Sequence, residues 1–141
     1  MKTVLTVAGS DPSGGAGIQA DIKTITAHGL YATSAITALT VQNTLGVSRV
    51  EPVPVDLVAQ QIDCVVGDIR PDAVKIGMLC NAEIVQAVAQ ALAHGQAECI
   101  VIDPVMISTS GHRLLDQEAV QWMKRCLLYT SPSPRDTERS R

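Results

Sequence analysis

Asp21 stands three residues after Ile18 and four before Ile25, so its carboxylate projects from the stripe that a helix here would turn toward a sheet. Burying an unpaired charge is costly, so either a partner neutralises Asp21 or it lines a ligand cavity. Just before it runs Gly9-Ser10-Asp11-Pro12-Ser13-Gly14-Gly15-Ala16-Gly17, a loop of small residues. Such a loop lets a ligand approach the backbone closely and leads into a helix N-terminus that favours negative or polar groups. A tight strand-to-helix turn would need the same residue types. Lys23 lies far beyond the glycines, no Gly-Lys-Ser/Thr follows them, and the spacing is not G-x-G-x-x-G, so a nucleotide phosphate cradle is unsupported here.

Three further places put polar or soft groups just after apolar runs. Gln42-Asn43 follows a run ending at Val41 and offers an amide that both donates and accepts, which suits a heteroaromatic ring edge or, equally, a polar turn. Gly77-Met78 follows Val74 to Ile76, where Met78 could form a soft apolar wall or simply pack in the core. Asp103 ends the run Cys99 to Ile102 and precedes Pro104, which turns the chain outward. A carboxylate there could hold magnesium through water near phosphates, or cap a loop or helix.

The elements that must position these groups alternate in type. Thr3 to Ala8 reads as a strand, and Ala16 to His28 as a helix through Ile18, Ile22 and Ile25, stopped by Gly29. Tyr31 to Val41 reads as one long strand, Pro54 to Asp68 as a helix, and Ala73 to Ile76 as a strand. Asn81 to His94 is a helix with Asn81 as N-cap and Gly95 as its stop, and Cys99 to Ile102 is a strand. Strands alternating with helices predict parallel pairing, and continuously apolar strands predict helices on both faces, a three-layer αβα fold. In such folds ligands bind beyond the carboxyl ends of the strands, where the glycine loop, Gln42-Asn43, Gly77-Met78 and Asp103 fall, with Asp21 on the helix that follows the loop.

The chain of 141 residues has room for one domain. With no Phe, two Tyr, one Trp and a net charge of -3, it has neither aromatic platforms nor a basic field for nucleic acid. Cys64, Cys80, Cys99 and Cys126 show no C-x-x-C pairing and read as reduced, mostly packed thiols. His28, His94 and His112 share no metal spacing and read as surface residues. No signal-peptide core or membrane span is evident at the N-terminus, and these features together point to the cytoplasm. From Tyr129 to Arg141 two prolines, three serines and three arginines replace the aliphatic residues. That tail cannot build core. It resembles translated sequencing-adapter read-through more than a regulatory segment and is set aside, leaving residues 1–128 as the folded part.

Taken together, AGSDPSGGAGIQADIKT at Ala8 to Thr24, ITALTVQNT at Ile36 to Thr44, KIGML at Lys75 to Leu79 and VIDPVM at Val101 to Met106 closely resemble the hydroxymethylpyrimidine/phosphomethylpyrimidine kinases of thiamine biosynthesis, in the ribokinase-like superfamily. The resemblance covers Met1 to Leu128. It implies ATP-dependent phosphorylation of 4-amino-5-hydroxymethyl-2-methylpyrimidine and then of its monophosphate. It implies a pyrimidine pocket at Gly9, Asp21, Gln42 and Met78, with Asp21 orienting the hydroxyl and Gln42 reading the ring nitrogen and amino group. It places Asp103 near Mg2+ and the ATP phosphates, and is compatible with a homodimer of the full-length protein.

The family's second half carries a Thr-Pro-Asn segment, most of the ATP site and a Gly-Thr-Gly-Cys motif, none of which has a counterpart here. Cys126, read as part of an amphipathic helix beside Trp122 without flanking glycines, is no substitute. The chain is therefore expected to be the N-terminal part of the kinase, inactive by itself, with an exposed sheet edge that lowers its solubility. The competing readings are a pyridoxine/pyridoxal kinase, which the QNT and SDPSGGAGIQAD strings disfavour, and a non-catalytic pyrimidine-binding module.

Overall fold

A computed structural model describes residues 1–105, 111 and 113–125. Four parallel strands, β1 (Thr3–Ala8), β2 (Tyr31–Ile36), β5 (Ala73–Ile76) and β6 (Ile100–Ile102), form a sheet in the order β2-β1-β5-β6. Between β2 and β5 come an antiparallel pair, β3 (Ala38–Asn43) and β4 (Gly46–Pro52), and helix α2 (Val55–Asp68). Helix α1 (Gly17–Ala27) joins β1 to β2, helix α3 (Ala82–His94) joins β5 to β6, and α4 (Gln117–Met123) packs on α3.

Side-chain alternation divides the sheet into two faces. Leu5 and Val7 of β1, with Val74 and Ile76 of β5, pack against Val58 and Ile62 of α2 and Val85 and Val88 of α3 in the main core. Each such fully buried aliphatic side chain contributes about 1.5–3 kcal/mol. Thr6 and Lys75 point to the opposite face, where Asp21 of α1 bonds to both. The predicted three-layer arrangement is therefore present, with α1 on one face and α2 and α3 on the other.

Two of the predicted helix ends are capped as the sequence implies. Asn81 accepts a hydrogen bond from the Ile84 amide at 2.9 Å, and Gly29 takes the left-handed conformation beyond α1 (φ 73°). Gly95 does stop α3, but the left-handed residue is the next one, Gln96 (φ 55°). Glycine suits position 95 because a Cβ there would lie 2.6 Å from Cγ1 of Val66 on α2.

Three expectations need correction. Tyr31 to Val41 is not one strand. The chain leaves the sheet at Thr37, whose amide donates to Ala8 and whose hydroxyl donates to the Met78 carbonyl at 2.6 Å. The run looked continuous because exposed Leu39 and Val41 on the hairpin resemble core residues. The run at Cys99 to Ile102 is not buried on both faces, since Val101 is 59% exposed. It sits on the α1 face of the outermost described strand, and α1 covers only β1 and β2. Cys64 and Cys99 are exposed rather than packed, and of the described cysteines only Cys80 is partly buried. His28 and His94 are at the surface as expected. Met106, His112, Cys126 and the tail from Tyr129 lie outside the described residues.

Among the described residues no helix is long and apolar enough to cross a membrane.

Candidate functional site

The strand order reverses direction at β1. From β1 the chain moves outward to β2, then returns past β1 to place β5 and β6 on its other side. The crevice beyond the carboxyl ends of β1 and β5 is the topological switch point, the place where open α/β sheets bind ligands. A cavity of about 290 Å³ lies there.

Gly9, Asp21, Gln42, Met78 and Asp103 all line it. Gly9 follows β1, Met78 follows β5 and Asp103 follows β6, so three loops at one sheet edge supply three walls. Asp21 enters from the first half of α1. Gln42 comes from the hairpin, which is tied over the glycine loop. Ser10 N donates to the Ala38 carbonyl at 2.9 Å, the Thr40 amide donates to Ser10 Oγ at 3.1 Å, and the Thr40 hydroxyl donates to the Ser10 carbonyl at 2.8 Å. Alternation along β3 puts Gln42 on the same face as Ala38 and Thr40, and the Thr40 hydroxyl lies 3.3 Å from Gln42 Oε1; the register shift at this point leaves the extra residue, Ser48, on β4. Asn43 makes the turn instead, its Oδ1 accepting from the Leu45 and Gly46 amides at 2.9 and 3.2 Å.

Glycine at position 9 leaves room for Met78, since a Cβ there would meet Cε of that side chain unless it moved. The two residues share one wall. Met78 is nearly buried, so the core and cavity-wall readings both hold.

The glycine loop is organised by Asp11. Its carboxylate accepts from the Ser13 amide and hydroxyl at 2.9 and 2.7 Å, from Gly15 N at 3.0 Å and from Ala16 N at 2.8 Å. Burial pushes the Asp11 carboxyl up, but the Ser13 hydroxyl and these three amides outweigh it and hold the group below its ordinary value. The loop amides of Ser13, Gly15 and Ala16 that lead into α1 are thus already used by a carboxylate of the chain. That is the physical reason the loop is a turn with a close backbone approach and not a phosphate cradle.

Asp21 has both a partner and a place in the cavity wall. Its two oxygens receive Lys75 Nζ at 3.0 and 2.9 Å, and Oδ2 also receives the Thr6 hydroxyl at 2.6 Å. Lys75 lines the cavity as well. Neither Lys75 nor Thr6 is among the residues singled out from the sequence. A signal was available, because Lys75 is the one charged residue in the four-residue strand AVKI and must face the same side as Asp21.

Asp103 is exposed at the cavity wall, its backbone held by the amide's bond to the Ile76 carbonyl at 2.8 Å. No cluster of three or more His, Cys, Asp or Glu side chains able to hold a metal occurs among the described residues. A single exposed carboxylate fits magnesium, which keeps most of its waters and takes one or two carboxylates plus phosphate oxygens.

A mostly parallel sheet between helical layers, with its cavity at the switch point, defines this chain as a ribokinase-like α/β protein. The sequence model of the phosphomethylpyrimidine kinase family matches residues 11–132, and the chain belongs to that family. It is 52% identical over 130 residues to the hydroxymethylpyrimidine/phosphomethylpyrimidine kinase of Escherichia coli K12, an alignment covering 91% of this chain and 49% of that protein. The crystal structure of phosphomethylpyrimidine kinase from Clostridium difficile 630 superposes with a TM-score of 0.87 at 46% identity, covering 93% of this chain and 57% of that one. Pyridoxal kinase from Staphylococcus aureus, in complex with AMP-PCP and pyridoxal, superposes with a TM-score of 0.77 at 36% identity, covering 91% and 45%. The chain spans about half the length of the curated relatives it matches.

Proposed function

We propose that this chain supplies the pyrimidine pocket of an ATP-dependent kinase that phosphorylates 4-amino-5-hydroxymethyl-2-methylpyrimidine and then its monophosphate. One observation carries the reading: Gly9, Asp21, Gln42, Met78 and Asp103 line a single cavity at the switch point of a chain in this family.

In this reading the ring lies against Met78, with the glycine at position 9 making room for it. Gln42 accepts from the ring amino group and donates to the ring nitrogen, the pairing its amide allows. Asp21 accepts the hydrogen bond of the hydroxymethyl group and fixes its direction. Asp103 would hold Mg2+ through water beside the ATP phosphates, where the ion neutralises charge on the phosphoryl group. The reading also carries a cytoplasmic setting and a homodimer of the full-length protein.

The test is a ligand-observed NMR titration of the chain with the hydroxymethylpyrimidine. Saturable binding that Asp21→Asn and Gln42→Ala each weaken supports the reading. Absence of binding overturns it. Pyridoxal as a competitor separates the alternative suggested by the fold similarity to pyridoxal kinase, since tighter binding of pyridoxal would favour that branch.

A further inference from the structure

Lys75 takes a route that the surrounding packing makes specific. It leaves the central strand β5, passes over Gly77 and ends against both oxygens of Asp21. A Cβ on Gly77 would lie 3.0 Å from the Lys75 ammonium and 3.0 Å from Cβ of Ala8, so glycine at 77 leaves the space the ammonium uses. The side chains of Lys75 and Asp21 are 26% and 17% exposed, and the opening is the cavity that both residues line. Of the two other carboxylates that line the cavity, Asp11 is held by its own loop and Asp103 stands exposed at the wall, after β6.

The hydrogen-bond inventory of Asp21 then limits what a ligand can bring to it. A carboxylate has about four lone-pair sites. Two are filled by Lys75 and one by Thr6. One acceptor site remains, beside a fixed positive charge. A hydroxyl brings one donor and no charge, which matches that corner. A protonated amine brings three donors and a second positive charge next to Lys75, so it would leave donors unpaired and face like-charge repulsion.

We infer that Lys75 is a specificity-determining residue of this site, which neutralises Asp21 and thereby makes the cavity accept a neutral primary alcohol and reject the corresponding protonated primary amine. The inference rests on the pyrimidine reading above and adds to it the basis for choosing the functional group. Specificity here is built by an introduced repulsion as well as by an attraction.

The experiment compares two probes that differ only in that group, 4-amino-5-hydroxymethyl-2-methylpyrimidine and its 5-aminomethyl counterpart, at neutral pH where the amine is protonated. Dissociation constants are measured by ligand-observed NMR for the unsubstituted chain, Lys75→Met, Lys75→Arg and Asp21→Asn, with thermal unfolding of each variant alongside. The unsubstituted chain should favour the alcohol by about tenfold or more. Lys75→Met, which leaves the carboxylate without its counter-charge, should move the alcohol-to-amine ratio toward the amine by about tenfold or more, and Lys75→Arg should keep the alcohol preference. Asp21→Asn, which keeps the ammonium and removes the attraction, should move the ratio further toward the alcohol and decides the matter if Lys75→Met does not fold. A ratio that stays constant across these variants, with both affinities rising or falling together, overturns the inference and leaves Lys75 a structural partner of Asp21. Binding of neither probe by the unsubstituted chain overturns the pyrimidine reading, and the inference falls with it.

Discussion

The hydroxyl of Thr6, wholly buried on the central strand β1, donates to Oδ2 of Asp21 on α1 at 2.6 Å. This bond and the Lys75 ion pair hold the helix to the sheet at the point where the cavity opens. A hydrogen bond to a charged group contributes about 1.5–3 kcal/mol. Thr6→Val keeps the shape and removes the donor, so it should lower unfolding stability by about 1–3 kcal/mol in urea titrations, whereas Thr6→Ser should retain most of it.

Gly9 and Gly17 should respond differently to the same change. At Gly9 an added methyl meets the far end of the flexible Met78 side chain, which can move. Gly9→Ala should therefore fold with a stability loss under about 1.5 kcal/mol and weaken pyrimidine binding, because Met78 moves into the cavity. At Gly17 the methyl meets the Gly9 carbonyl, a backbone group, and φ is 58°. Gly17→Ala should cost more than about 2 kcal/mol through combined clash and left-handed strain. Thermal melts of the two variants, with binding measured on Gly9→Ala, check both statements.

Asp72 pins the start of β1 and gives the fold a defined acid response. It accepts from Lys2 Nζ at 2.6 Å and from the Thr3 amide at 2.8 Å. The Lys2 hydrogen bond, followed by that of the Thr3 amide, lowers the Asp72 carboxyl from its usual 3.8 to about 2. A folded value below the unfolded one means that the unfolded chain binds the proton first on acidification. The stabilisation is therefore complete above about 3.8 and is lost as pH falls toward 2. The same contact raises Lys2, whose contribution is complete below 10.5 and fades only as pH rises through the raised value. The difference in urea midpoint between the parent chain and Asp72→Asn should be constant near neutrality and shrink to nothing between pH 4 and pH 2.

Helix α3 offers changes of opposite sign at its two ends. Asn81→Ala removes the side-chain acceptor for the Ile84 amide and should cost about 1 kcal/mol. Gln96 holds a left-handed conformation that a glycine adopts without strain, so Gln96→Gly should stabilise by about 0.5–1 kcal/mol. Denaturant midpoints of the two variants should move in opposite directions.

Much of this fold is legible locally. Helical spacing at Ile18, Ile22 and Ile25, the Asn81 cap and the apolar run of β1 each depend on residues close together in the chain, where periodicity and capping chemistry act. The same holds for the candidate site, since polar residues just after apolar strands are visible without knowing which strands are neighbours. The hairpin was not legible, because Leu39 and Val41 alternate outward on a two-stranded ribbon that leaves the sheet at Thr37, where the bonds to Ala8 and Met78 are contacts between distant segments.

By itself the sequence determined the alternation of strands and helices, the glycine loop, and the family to which its ordered strings belong. Tertiary structure decided what those pieces meet. Lys75 is 54 residues from Asp21 and pairs with it only because β5 lies beside β1 beneath α1. Asp11 takes up the amides before α1, so the loop that looked open to an anion is already satisfied. Propensity and spacing act over a few residues, whereas strand order, cavity position and ion pairing are set by contacts between segments that only the packed core brings together.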